Sequence, residues 1–233
     1  MKNKNIIKAC LLLTLCTFSY ATDNHLELSF VQTSGNTDST TVSGKIETQK
    51  YITPIDIVKA KASILYSSSD GDTNANKYNL ELDYNHMLNE NLYSYVGGTY
   101  VNDELSDYDY RLNIGPGFGY KLINNNVHKL DVELGVDYAY DNYAYESNEW
   151  YLAGKTELNY SYNIQNNIKF QQMLNYLLSM KKAGRYFAAS ESSFVVKMIE
   201  NLSMAVTYRL DYANETNQEK LDKKLLTSVI YDF

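Results

Sequence analysis

Three histidines, His25, His86 and His128, bound the acid–base chemistry open to this 233-residue chain. A deacylase built on β-strands needs a serine whose proton an imidazole can take, and a His-x-Ser spacing would put both on one face. The residues two beyond each histidine are Glu27, Leu88 and Leu130, so none makes that pair. A protease of the aspartate–histidine type needs carboxylate and imidazole side by side, whereas Asp83 and His86, three apart, fall on opposite faces of a strand. No catalytic residue is assigned, and the chain is not expected to be an enzyme.

Metal and cofactor chemistry is no better supplied. Asp70, Asp72, Asn74, Asn76 and Glu81 place oxygens at the first, third, fifth, seventh and twelfth positions of a calcium-loop template. Ala75 stands where that template needs glycine for its sharp turn, and Glu81 belongs to a strand, so a polar surface connection is the better reading. Three separated histidines and two cysteines near the amino terminus do not make a zinc set. No metal and no cofactor is expected.

What remains is a set of charged residues that recur with period two. Glu81, Asp83, Arg111, Lys121, Asp131, Glu133, Lys155, Glu157, Glu191, Arg209 and Asp211 all occupy the phase opposite to large apolar residues, as do Asp109, Asp137, Lys169 and Lys197. Both signs are present, so neighbouring strands can pair them. If one face of each strand meets lipid, these residues line a lumen, and their charges would filter small ions and solutes.

The elements that position them are strands. Residues 202–212 read Leu-Ser-Met-Ala-Val-Thr-Tyr-Arg-Leu-Asp-Tyr, with every even position large and apolar or aromatic and every odd one small, polar or charged. The same alternation runs through Tyr78–Tyr84, Tyr110–Tyr120, Leu130–Tyr140 and Trp150–Tyr162. Weaker versions start at Leu26, Val42, Val58, Leu92, Ile168 and Tyr186, and the register of 92–101 is ambiguous. With the final segment this gives about twelve strands, an even number as single-chain bacterial barrels require. Short Asn-containing turns (Thr53–Asp56, Asn89–Asn91, Ile123–Asn126, Ile164–Asn167, Glu200–Asn201) alternate with longer polar connections (Ser34–Thr40, Ser67–Asn76, Asn102–Asp107, Asp141–Asn148, Met180–Arg185, Ala213–Asp222). That is the short-periplasmic, longer-extracellular division of an outer-membrane barrel, with both termini in the periplasm.

The ends of the chain agree. Lys2, Lys4 and Lys8 precede an apolar run from Ala9 to Phe18 and small residues at Ser19 and Ala21, which reads as a secretory signal over residues 1–21, too short to span a bilayer. Both cysteines, Cys10 and Cys16, fall inside it, leaving a barrel domain over 22–233 without disulfides; Leu15 before Cys16 fits poorly with lipidation. Removing the signal takes three lysines and no acid from a net charge of −7, leaving −10, which disfavours nucleic acid as a partner. A mean hydropathy of −0.42 does not exclude a membrane, because lumen residues dilute every strand of a barrel. The 23 tyrosines suit the girdles where lipid tails meet headgroups. The chain stops at Phe233, with Leu225, Val229 and Tyr231 on its side of the strand, and this resembles the closing strand that the barrel-assembly machinery reads. A water-soluble barrel with the apolar faces turned inwards is the alternative fold.

Three segments in order, 33–37 (TSGNT), 66–78 (YSSSDGDTNANKY) and 108–120 (YDYRLNIGPGFGY), resemble the salt-induced outer-membrane proteins, a Gram-negative family of unknown function. The resemblance covers the mature chain and implies an all-β transmembrane antiparallel barrel in the cell outer membrane, touching lipid and lipopolysaccharide. It implies no catalytic residues. The functional expectation is a narrow channel for small solutes or ions, with a closed barrel of structural, envelope-stress or surface-interaction role as the alternative.

Overall fold

The computed structural model describes residues 22–33, 39–70, 72–103, 108–143, 147–181, 184–215 and 220–233. The signal read over 1–21 lies outside these, as do residues 34–38 and Gly71. Twelve strands follow one another: β1 Thr22–Thr33, β2 Ser39–Tyr51, β3 Asp56–Ser69, β4 Asp72–Met87, β5 Leu92–Asp103, β6 Tyr108–Asn124, β7 His128–Tyr143, β8 Glu149–Gln165, β9 Ile168–Ser179, β10 Tyr186–Ile199, β11 Leu202–Ala213 and β12 Leu221–Asp232. Each pairs antiparallel with its sequence neighbours, and β12 returns to β1, so the sheet closes into a barrel.

The period-two pattern decides which face points where. On β4 Leu82 is 59 % exposed and on β6 Ile114 is 61 %, whereas Asn85 and Arg111, on the opposite phase, are each 4 % exposed. Large apolar residues therefore form the outer wall and polar ones the inner wall. A water-soluble barrel would have the reverse polarity, so that alternative is set aside. Aromatic rings gather at both margins of the apolar band. Towards one rim, Tyr100, Tyr110, Tyr140, Trp150 and Tyr138 form a run of ring contacts with centroids 4.3–6.0 Å apart. Towards the other lie Tyr84, Tyr120 and the stacked pair Tyr231 and Phe233. Tyr110 and Tyr120 are about ten residues apart on β6, roughly 26 Å along the axis of a barrel tilted by about 40°, which matches an apolar band of about 25 Å.

The rim that carries the two chain ends is built from tight, side-chain-stapled turns. Asn89 Oδ1 accepts from the N–H groups of Asn91 (2.9 Å) and Leu92 (2.8 Å), and Asn125 Oδ1 from those of Val127 (2.9 Å) and His128 (2.7 Å). Thr53 Oγ1 does the same for Ile55 and Asp56. In each case a short polar side chain stands in for a missing backbone acceptor. The opposite, distal rim carries the longer connections, with one correction. Most of the connection read over Ser67–Asn76 is strand, because β3 runs on to Ser69 and β4 begins at Asp72. Asp70 takes the left-handed conformation there (φ 51°), one that aspartate tolerates. The residues of the calcium-loop template from Asp72 onwards are therefore strand.

The barrel is sealed where β1 meets β12. Asn24 and Phe233 exchange two backbone hydrogen bonds of 3.0 Å, Ser228 Oγ donates to Glu27 Oε1 at 2.6 Å, and His25 Nδ1 lies 2.7 Å from Asp232 Oδ1. His86 likewise meets Asp56 (2.8 Å), and His128 stacks on Tyr162 (4.6 Å). Among these contacts the imidazoles serve strand ends, and Ser228 gives its hydrogen bond to a carboxylate.

Asn125→Ala is expected to lower barrel stability by roughly 1–2 kcal/mol, about 1 kcal/mol for each backbone donor left without its acceptor. The urea midpoint of the refolded protein in detergent micelles reads this, and an unmoved midpoint would show that the turn needs no staple.

Candidate functional site: the lumen

The inner wall holds charge in two regimes. Across β1, β2 and β3 runs a ladder in which Lys45 Nζ lies 2.8 Å from Glu27 and 3.7 Å from Glu47, and Lys61 Nζ lies 3.6 Å from Glu47. The Glu47 side chain is 40 % exposed and that of Lys61 30 %. Both occupy inward phases, so the solvent that reaches them does so within the barrel. Arg209, with Asp211 at 3.0 Å and Glu191 at 3.9 Å, is 26 % exposed on β11, two strands round from β1.

In one knot at the distal rim charge is dry. Asp141, fully buried, accepts from Arg111 through Nε (2.5 Å) and Nη2 (2.8 Å), from Arg185 Nη2 (2.6 Å), and from the hydroxyls of Tyr143 and Tyr151 (3.1 Å each). Arg185 also donates to Glu149 (2.9 Å) and to the Tyr143 hydroxyl. Two forked cations and two phenols thus saturate one carboxylate, the condition under which a buried ion pair is tolerated. Arg185 belongs to the connection between β9 and β10; burial opposes its charge, but Tyr143 and Asp141 beside it hold its pKa above the ordinary arginine value.

Side chains reach across the lumen near this rim. The Arg111 guanidinium, on β6, lies 3.7 Å from the ring centre of Phe187 on β10. Lys77 on β4 lies 4.0 Å from Asp211 on β11. Leu65 of β3 and Leu226 of β12 share a buried cluster with Ala75. The three chords make this the narrow end.

Midway, the wall is kept thin instead. Tyr93 and Tyr95 point inwards, which settles the register of 92–101, and their rings lie flat over glycines of β6 and β7. A Cβ on Gly119 would stand 2.1 Å from Tyr93 Cζ, and one on Gly117 2.4 Å from Tyr95 Cζ. Only glycine admits a ring so close to backbone. Tyr93 donates across Gly119 to Glu133 Oε1 at 2.7 Å. The Tyr95 hydroxyl is buried and meets no hydrogen-bond partner among the described residues.

The charged residues singled out from the sequence occupy this wall in different ways. Arg111 belongs to the dry knot; Glu191, Arg209 and Asp211 form one cluster; Lys121 faces Asp131 in register, and Glu81 and Asp83 face Lys61 and Lys59. Glu133 and Glu157 stand directly opposite each other on β7 and β8, and Lys155 pairs with Glu157 of its own strand at 3.8 Å, not with Asp131 or Glu133 across from it. Asp109 is a correction: it sits exposed in a bulge between Tyr108 and Tyr110, and the Tyr108 ring takes the place against Arg111 (4.4 Å). Glu27, Lys45, Glu47, Lys59 and Lys61 were not singled out, although their odd positions between Leu26, Leu28, Ile46, Val58 and Ala60 carry the same alternation. Asp141 and Arg185 gave no such signal, since both read as parts of connections.

Residues 26–233 match the family model described as "Protein of unknown function, DUF481". No curated protein matches the chain. Among solved structures, the COG4313 outer-membrane channel of Pseudomonas putida F1 is similar at TM-score 0.57 and 11 % identity, over 91 % of this chain and 95 % of that one. The translocator domain of the autotransporter NalP from Neisseria meningitidis follows at 0.55 and 10 %, over 98 % and 94 %, and the NanC porin at 0.54 and 10 %, over 91 % and 98 %. At these identities the likeness is one of fold, that of outer-membrane barrels.

Asp141→Asn should cost roughly 3–5 kcal/mol, since it leaves the buried Arg111 guanidinium without its counter-charge and Arg185 with Glu149 alone. Denaturant melts in micelles measure it; a loss below about 1 kcal/mol would mean the arginines find other partners or water. Gly119→Ala should lose about 1–3 kcal/mol by overpacking against Tyr93, and most of that should return when Tyr93→Ala is added.

Proposed function

We propose, for a chain that belongs to the DUF481 family of proteins of unknown function, the role of a narrow channel for small ions and solutes in the outer membrane. The observation that carries this reading is the wet inner wall: Glu47, Lys61 and Arg209 face inwards yet keep 40 %, 30 % and 26 % of their side-chain surface. These groups are paired and yet keep contact with solvent, whereas a barrel sealed by packing would bury its pairs, as the distal knot does. The three chords at the distal rim set the size limit, and the charged walls below them set the selectivity.

The remaining expectations form one picture with it. Residues 1–21 act as the export signal, the strand ending at Phe233 is read by the barrel-assembly machinery, and the apolar band meets lipid and lipopolysaccharide. The short stapled turns support a periplasmic position for that rim and both chain ends, with the distal rim outside. The likeness of the three sequence segments to salt-induced outer-membrane proteins supports a role in the envelope under salt stress. No catalytic role is proposed.

One observation favours the second reading, a closed structural barrel. Arg111 reaches from β6 to Phe187 on β10, and if neighbouring chords leave no aperture the barrel does not conduct. Single-channel recording of the refolded mature protein in planar bilayers decides between them. Stable openings are expected, and Arg209→Gln should move the reversal potential towards cation selectivity by roughly ten-fold in permeability ratio, since one unit charge at about 6 Å in water acts about three-fold on the cation and about three-fold the other way on the anion. Correctly folded, inserted and silent barrels would establish the closed reading.

A further inference from the structure

The wall between β4 and β8 has an excess of acid that the channel reading does not by itself require. Lys155 interacts electrostatically with Glu157, Glu81 and Glu133, and Asp83 and Asp137 both feel its charge. Lys59 also acts there, on Asp83 and Glu133, and Lys61 stands opposite Glu81. Five carboxylates thus share three ammonium groups. Glu133 and Glu157 stand opposite each other with no cation directly between their strands, each steadied by neutral donors: Tyr93 for Glu133, Asn159 (2.8 Å) and Asn175 (3.2 Å) for Glu157.

A second feature points into the same place. Tyr95, 3 % exposed, presents a hydroxyl with no partner among the described residues, and that hydroxyl interacts electrostatically with Lys155, Glu133, Asp137 and Glu157. The Lys155 ammonium lies 5.6 Å from the centre of the Tyr95 ring. A carboxylate 3.8 Å from a primary ammonium, an aromatic face beside it and a free phenolic lone pair on the same ring are the chemistry that recognises cations of low charge density.

We propose that Tyr95, Glu133 and Glu157 form a station for monovalent cations, alkylammonium ions included, at which the Lys155 ammonium is a tethered occupant competing with cations from solution. The tether sets the balance. With Lys155 in place, the station is filled and the lumen passes both signs of ion; with it gone, the station takes cations from the medium. Lys155 is thus the residue that limits cation selectivity, a deepening that rests on the channel reading only where current is measured.

The test removes the tethered ammonium and offers it back. Lys155→Ala should raise the potassium-to-chloride permeability ratio about ten-fold, and n-butylammonium, the same side chain untethered, should return it to the wild-type value. Lys45→Ala, which removes a lumen cation elsewhere, should not respond to n-butylammonium. In micelles, saturation-transfer NMR should detect n-butylammonium on Lys155→Ala, not on wild type, and the signal should vanish when Glu157→Gln is added. Lys155→Met serves if the alanine variant does not close. A silent wild type would end the channel reading while NMR still judged the station. Equal n-butylammonium signals from wild type and Lys155→Ala would overturn the station even in a conducting barrel.

Discussion

Every backbone N–H and C=O that faces lipid must find its partner within the protein, because the hydrocarbon offers no water to replace it. For a sheet this has one solution, which is to leave no edge, and the rest of the molecule follows from the seam between β1 and β12. Once β12 is fixed beside β1, with Leu28 opposite Val229 and Ser29 opposite Ser228, the phase of each strand is fixed round the ring. A slip of one residue anywhere would carry lysines and glutamates into lipid. The side-chain bonds at the seam, Ser228 to Glu27 and His25 to Asp232, lie on the inner face and at the rim, where polar groups are tolerated.

Sending apolar side chains outwards forces the polar ones inwards, and twelve strands enclose more width than most side chains can bridge. The chain answers differently along the axis. Near the distal rim, arginine, lysine and leucine side chains cross from wall to wall, and Asp141 holds two guanidinium groups out of water. Midway, tyrosines are pressed onto glycines so that bulk stays at the wall. In the ladder from Glu27 to Lys61 opposite charges sit near one another but keep water, and there each pair contributes little to stability. The knot is structural, and the wet ladder is where charge can act on something passing by.

Much of this was legible in the sequence, and the parts that were not have physical reasons. The strands, their outward faces and the stapled turns follow from alternation and from Asn and Thr chemistry, which are local. The stretch 92–101 was ambiguous because large residues occupy both phases: Tyr93 and Tyr95 face in, Val96 and Tyr100 face out, and only the glycines of β6 and β7 explain the inward pair. Asp141 read as loop because the polar run after Tyr140 looks like a connection, yet β7 continues to Tyr143 so that its carboxylate can meet Arg111. Arg185 has no periodic context at all. Whether charged lumen residues pair or stay wet depends on distances across the barrel, which no single strand encodes.

The contacts of the Asp141 knot also say something about the order in which the barrel can be made. Its partners lie 30 residues away at Arg111, 44 at Arg185 and 10 at Tyr151, all within the contiguous run from β6 to β10. The seam instead joins residues 201 and 207 positions apart. Chain entropy makes the near contacts cheaper to form and the far ones dearer. A curved half-cylinder centred on β6 to β10, clamped at its distal lip by one carboxylate, can therefore exist before the two margins meet. Closure becomes the joining of two free edges held at a fixed curvature, and the knot acts as a jig for the assembly of the barrel as well as a filling for its mouth.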